Sequence, residues 1–405
     1  MRISGGSGRS FPDEGAPGGK PKSHRAAAMI IAALVLLAAF VIAAPYLSLV
    51  LNQSYSFLSG SSTAGPSTIT SAITSMYSST TSAVTIASSA TSSQCSGAVS
   101  VKNLAAPDIR NGSADIAYPS DYCTLAAYAL GLINQDRAAN GTGPVALDYN
   151  QAAQQHADSM LFYGYFSHND TQGYKPYMRY SLLGGRGADF ENVAYYYFSV
   201  PHFTSTDSVE TAIKELEYSM VYNDSSCCAN GHKYNILDSL HDQVSIGVAY
   251  NSMAVYFDEE FENNYLNLNF TVAGSSASDA YYVTLKGTST GSFPSPTSLY
   301  VAFDDSPAAA TPAQLNSGPH EYDPGTLVGG VVPRGFFGGC GQFTSGITVC
   351  ADTWKVTSSV VDIEFPLEPF IKNYGPGVYT LYLITGSSTD TAITSLSVFA
   401  PGGSG

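Results

Sequence analysis

Charge is what this 405-residue chain has least of: 12% of its residues are Asp, Glu, Lys or Arg, about half the share usual in soluble proteins. Ser, Thr, Gly, Asn and Tyr supply the polarity instead. Positive charge is scarcest, with 17 Lys and Arg against 32 Asp and Glu. Five of those positives, Arg2, Arg9, Lys20, Lys22 and Arg25, precede the first apolar run, where only Asp13 and Glu14 oppose them. The remainder carries 12 basic and 30 acidic residues, a net of −18. So acidic a chain cannot neutralise phosphates, which excludes nucleic acid as a partner. Cysteine is sparse as well, with six residues and neither a CxxC pair nor a Cys-His cluster at ligand spacing. Disulfides of an exported chain are therefore a simpler reading than a thiolate metal site. Cys340 and Cys350 suit a local bridge, whereas the adjacent Cys227 and Cys228 can pair with each other or reach Cys123 or Cys95.

Between residues 26 and 101 there is no charged residue at all. Ala26 to Ala44 is a run of 19 residues without a polar side chain, and at about 1.5 Å per residue a helix of that length spans the hydrocarbon core of a bilayer. Residues 26–51 read as a signal-anchor helix, since the run exceeds the usual h-region of a cleaved signal peptide, the alternative reading. With the basic residues on the N-terminal side, residues 1–25 are placed in the cytoplasm and the rest outside the cell. Residues 52–104 follow as a disordered stalk. Of the 49 residues from Asn52 to Ser100, 25 are Ser or Thr, too few of the others being apolar to offset the entropy of ordering. Sequons at Asn52, Asn111, Asn140, Asn169, Asn223 and Asn269 fit a glycoprotein.

Residues 105–275 read as an α+β domain. Helical spacing is expected over residues 120–140, from Asp148 with Gln151 reaching back to cap, and from about Asp207. Strands are expected over 192–198, 244–250, 253–261 and 266–272. Three groups stand out chemically: His168 in FSHND, Glu191 in FENVA and His232 in GHKYNIL. Two imidazoles and a carboxylate can hold a divalent cation, or serve as base and acid around a bound water. His156 reads as a packing residue and His241 as either a supporting or an exposed group. His202 and His320 read as surface residues.

The segments LINQDRAANGTGPVALD, AAQQHADSM, FSHND, Tyr177-Met178-Arg179, ENVA, GHKYNILD and VSIGVAY, in that order, resemble the signature of the CAP superfamily, or SCP domain, over roughly residues 118–272. The resemblance implies an α-β-α sandwich with a mostly antiparallel sheet. It also implies a broad cleft carrying two histidines and usually two acids, able to bind zinc or magnesium. His168 and His232 match the histidines and hence the metal ligands, Glu191 one acid, and Asn235 the asparagine after the second histidine. The second acid has no unambiguous counterpart; Glu217 or Glu215 stands nearest, with Glu217 the candidate fourth member. The segment between Ser219 and His232 is extended and reads as a disulfide-pinned flap. No common reaction follows from the fold. A Ser-His-Asp triad finds little support, because Ser167 and His168, adjacent in an extended segment, would project to opposite faces.

Residues 276–405 read as an all-β sandwich of immunoglobulin-like type, with Tyr379 as a corner tyrosine and Trp354 in the core. Nothing catalytic clusters there, so it is expected to be a spacer or adhesion module. Three functions suit the whole. The first is a membrane-anchored extracellular binding module whose cleft takes a lipid, glycan or peptide. The second is a metal-dependent hydrolase with His168, Glu191 and His232 as its machinery and Glu191 as general base. The third is a purely structural surface protein. Low charge with abundant Tyr, Ser and Thr also suits an acidic habitat, in which cationic histidines would repel a metal.

Overall fold

The computed structural model describes residues 119–400, apart from 149, 276–279, 291–295, 337–338, 341–345 and 386–390. The tail, anchor and stalk expected over residues 1–104 lie outside the described residues. Among the described residues, no helix is long and apolar enough to cross a membrane.

The first unit runs α1 (Tyr122–Ala139), β1 (Ala146–Asp148), α2 (Ala152–Tyr163), α3 (Pro176–Leu182), β2 (Ala188–Tyr197), α4 (Thr206–Tyr222), α5 (Gly231–Leu237), β3 (Gln243–Tyr250) and β4 (Ala254–Asn263). Its sheet has the order β1-β3-β4-β2, with β1 parallel to β3 and the other pairs antiparallel. β2 is thus an outer strand. Strand alternation sorts the two faces. Val255, Phe257 and Phe261 join Val244, Ile246 and Val248 in a core with Leu125, Ile133, Ile213 and Leu216 from α1 and α4. The opposite face packs on α2 and α3 and carries Asp189, Glu191, Asp258, Glu260 and Glu262, all buried. Helix α2 lies so close that a Cβ on Gly247 would stand 2.1 Å from the carbonyl oxygen of Ala153.

Local chemistry explains the helix ends. Ser205 opens α4 in a capping box with Ser208. The expected cap of α2 is replaced: Asp148 belongs to β1 and its Oδ2 accepts from the Asn150 N–H, while Asn150 Oδ1 accepts from Ala152 N–H at the start of the helix. Arg137, buried at the end of α1, donates to the carbonyls of Gly143, Ile236, Asp238 and His241. That fan of bonds ties α5 and the following turn to α1.

The second unit comprises two sheets on one core. Strands β5 (Leu266–Ser275), β6 (Ala280–Ser289), β12 (Thr353–Val356) and β13 (Val360–Pro366) form one, in the order β12-β13-β6-β5. The other runs β11-β8-β7-β14-β15 with β16 also on β14, from β7 (Pro296–Asp304), β8 (Thr326–Val332), β11 (Ile347–Cys350), β14 (Gly377–Thr385), β15 (Thr391–Ala392) and β16 (Leu396–Ala400). β9 (Arg334–Phe336) pairs with β10 (Gly339–Cys340), and two short helices, α6 (Pro312–Ser317) and α7 (Glu368–Tyr374), interrupt the strands. β8 and β11 are parallel, a departure from an all-antiparallel sandwich. Tyr379 is fully buried and its hydroxyl donates to the Gly375 carbonyl at 2.5 Å. Trp354 is only partly buried against the core.

One boundary differs from expectation. β5, read as the last strand of the first unit, pairs with β6, so the first sheet ends at Asn263. Its alternation of Leu266, Leu268 and Phe270 suits either sheet, and only the long-range partner decides. The second unit is also no detached spacer. Tyr177 donates to Asp304 at 2.7 Å, Lys175 pairs with Asp304 and Asp323, Ser397 N–H donates to Ser181, and Phe166 N–H donates to Asn316.

Candidate functional site

Along the outer strand β2 runs a cleft open to solvent, with about 590 Å³ of space between its lining residues and the solvent outside. Val193, Ala194 and Tyr195 of β2 form its floor, Leu216, Ser219 and Met220 of α4 one wall, and Phe166, Ser167 and His168 the other. Asp224, Cys227, Cys228 and His232 close one end, and His320 enters from the second unit. The exposed lining is mostly apolar, with Ser167, Ser219, Asp224 and three imidazoles as its polar points. His320, expected on the surface, is here because the chain after α6 folds back over the 166–168 segment; its ring lies 6.0 Å from that of Phe166.

His168 Nδ1 donates to Glu191 Oε2 at 2.7 Å. The other oxygen of Glu191 is bonded by Arg179 Nη2 and lies 2.9 Å from His156 Nδ1. Arg179, fully buried, also donates through Nη1 to the carbonyls of His168 and Tyr174. Burial alone would raise the pKa of Glu191, but Arg179, His156 and His168 overcome it and hold the carboxyl well below its usual range. His156 is pushed down to about 4 by burial and then by Arg179, so it is neutral.

At the other end His232, in the first turn of α5, places Nδ1 2.7 Å from Asp224 Oδ1. Asp224 follows α4 in a short 3₁₀ turn and its Oδ2 accepts from Lys233 N–H. Asp224 thus gives His232 the acidic partner that Glu191 gives His168. Sequence reading missed it, since the residue sits in the extended segment and matches no expected position.

Glu217 points elsewhere. It is buried beneath the cleft and does not line it; burial and then Glu259 raise its pKa well above the usual range, and Glu259 is itself pushed up to about 7, chiefly by burial. Asn192 donates to Glu259 and to the His232 carbonyl, each at 3.3 Å, and Asn235 donates to Asn192 at 3.0 Å. That chain of amides joins β2 to α5. His241 is a supporting group, buried between Phe190 and Phe261 and bonded to Asn263.

Residues 130–270 match the family model described as the cysteine-rich secretory protein family, CAP. This segment is a CAP domain. Among solved structures, an extracellular protein containing an SCP domain from Bacillus anthracis str. Ames is 19% identical over 35% of this chain and 41% of its own, with a TM-score of 0.26. The CAP domain of enterococcal PrgA is 13% identical over 34% of this chain and 60% of its own, also with a TM-score of 0.26. The matched part is thus less than two thirds of either structure. No curated protein matches the chain.

Two sets of side chains in and beside the CAP domain's cleft bring three or more ligand atoms within 4.8 Å of one another: His156, Glu191 and Asp258, and Asp224, Cys227, Cys228 and His232. The first does not fit a cation, because the Arg179 guanidinium already lies against Glu191. Among the described residues, His168 and His232 share the cleft but no such set. Each nevertheless turns Nδ1 to a carboxylate, the support that metal-binding imidazoles use, and leaves Nε2 for a ligand. The cysteines agree with an oxidising compartment: Cys227–Cys228 and Cys340–Cys350 are bridged, Cys123 is also disulfide-bonded, and no described cysteine is free. Ser167 serves a turn, its hydroxyl accepting from Asn169 N–H.

Proposed function

We propose that the chain is an extracellular ligand-capture protein, held at a membrane by residues 26–51 and carrying an immunoglobulin-like sandwich beside its CAP domain. The CAP cleft takes a small apolar ligand, a lipid in preference to a glycan or peptide, with His168 and His232 able to hold a zinc or magnesium ion at its polar points. The observation that carries this reading is the lining: Phe166, Val193, Tyr195, Leu216 and Met220 surround the space, with few polar groups to orient a sugar. The disulfides support the location.

The hydrolase reading is weaker on a specific point. A general base needs a free lone pair and a pKa near the working pH. Glu191 is 1% exposed, has both oxygens bonded and is held strongly acidic. Asp224 is likewise engaged at both oxygens. Titration of the full-length chain with a fluorescent long-chain fatty acid tests the capture reading. Saturable binding at one site, weakened at least tenfold by Met220→Trp, is the expected result. Binding unaffected by that substitution overturns it.

A further inference from the structure

We propose that Asp224, Cys227, Cys228 and His232 form a zinc site that opens only when the Cys227–Cys228 disulfide is reduced. The inference goes beyond ligand capture and stands without it. Four potential ligand atoms, two sulfurs, a carboxylate oxygen and an imidazole nitrogen, lie within 4.8 Å of one another. Two thiolates, one imidazole and one carboxylate form a tetrahedral donor set suited to zinc and too soft for magnesium. In the disulfide the sulfurs carry no charge and are poor ligands, leaving only Asp224 and His232. Once the bond is cut, the two sulfurs stay on one turn, because the N–H groups of Cys227 and Cys228 both donate to the Asp224 carbonyl.

The backbone holds the set in place independently of that bond. Cys228 N–H donates to the Asp224 carbonyl at 2.9 Å, and Gly231 N–H donates to the Cys228 carbonyl at 2.9 Å. Lys233 N–H fixes the second oxygen of Asp224. Ala229 and Asn230 follow with φ of 51° and 68°, two consecutive left-handed residues that turn the chain sharply and bring His232 back over Asp224. Left-handed conformations of this kind cost energy in non-glycine residues and concentrate at functional turns. Cys227 Sγ already lies 3.6 Å from Asp224 Oδ1.

The chemistry balances. A dithiol reductant passes two electrons to the S–S bond and becomes a disulfide itself, while each cysteine sulfur takes up one proton. Zinc then displaces the two thiol protons to solvent and enters between Asp224 Oδ1 and His232 Nδ1, whose proton transfers through solvent to Nε2. Because all four residues also line the cleft, loading the site reshapes one of its ends.

The test uses the full-length chain, oxidised or treated with a trialkylphosphine that is then removed, and titrated with zinc alone. Reduction should give an increment of at least tenfold in zinc affinity, as the thiolates take over His232 from any site it shares with His168, and cobalt in its place should show thiolate-to-metal charge transfer with tetrahedral bands. Cys227→Ser combined with Cys228→Ser should abolish that increment, although reduction of the other disulfides proceeds as before. No increment in the wild type, or one that survives in the double variant, overturns the proposal. A readout that needs no variant is alkylation mapped by mass spectrometry: zinc should protect Cys227 and Cys228 in the reduced chain, and equal alkylation with and without zinc contradicts the site. Fatty-acid binding by the oxidised chain is a separate measurement, so the two readings can fail independently.

Discussion

The backbone N–H of Glu191, on the outer strand of the CAP sheet, donates to the hydroxyl of Tyr322 in the second unit at 3.1 Å. Outer strands leave a row of backbone groups unpaired, and here a side chain from the neighbouring sandwich satisfies one of them beside the cleft. The ring of Tyr322 lies 4.9 Å from that of His168, so the same residue borders the imidazole. Tyr322→Phe keeps that ring and removes only the hydroxyl. Its expected cost is about 1 kcal/mol, measured by urea unfolding of the full-length chain, with ligand affinity little changed. Tyr322→Ala should in addition weaken cleft binding.

The Arg179 guanidinium lies against the carboxylate layer of the CAP domain, facing Glu191, Asp170, Glu260 and Asp258. Arg179→Met should destabilise the chain by about 3–5 kcal/mol, because it strands buried charge. Arg179→Lys should recover little, since a single ammonium cannot reach Glu191 and the carbonyls of His168 and Tyr174 together. Chemical denaturation of both variants decides between them.

The same layer sets the pH dependence. Burial, followed by the charges of neighbouring groups, raises the pKa of Asp189, Asp258, Glu260 and Glu262 well above the usual carboxyl range. Groups raised on folding stabilise below their unfolded pKa, about 4 for a carboxyl, and that contribution is lost as pH rises through the folded value. Glu191 and His156 act in the opposite sense, since both are lowered on folding and lose their contribution as pH falls. The raised acids outnumber them, so the thermal midpoint should be higher near pH 5 than at pH 8. Glu260→Gln, which mimics the protonated acid, should raise the midpoint at pH 8 and leave it nearly unchanged at pH 4. A midpoint that climbs steadily to pH 8 contradicts this assignment.

Removing Asp224 tests whether His232 is held for a ligand. In Asp224→Asn the contact with Lys233 N–H can persist, but the anionic partner of the imidazole is lost. Such supporting groups are typically worth about 10–100-fold in metal affinity. Zinc calorimetry on the oxidised chain should show a loss of that order if His168 and His232 bind the ion, and His168→Ala with His232→Ala should abolish the remainder.

Much of the CAP domain was legible because its signature residues are local and ordered. FSHND, FENVA and GHKYNIL located His168, Glu191 and His232, and three-to-four spacing located α1 and α4. What escaped depends on distant pairing. Asp224 becomes a partner of His232 only through a turn eight residues long, and Tyr322 reaches Glu191 across 131 positions. Glu217 resembled a cleft acid by position along α4, yet it faces Glu259 beneath the sheet surface. The pairing of β5 with β6 escaped for the same reason, since alternation describes a strand and not its neighbour.

The central claim is that an apolar ligand occupies the cleft along β2, and photocrosslinking tests it most directly. A fatty acid carrying a diazirine on its chain would be irradiated with the full-length protein and the adducts mapped by mass spectrometry. The account predicts labelling at Phe166, Val193, Tyr195, Leu216 and Met220, suppressed by excess unlabelled fatty acid. Labelling confined to the exposed side chains Phe162, Tyr197 and Val200, and not suppressed, would contradict it.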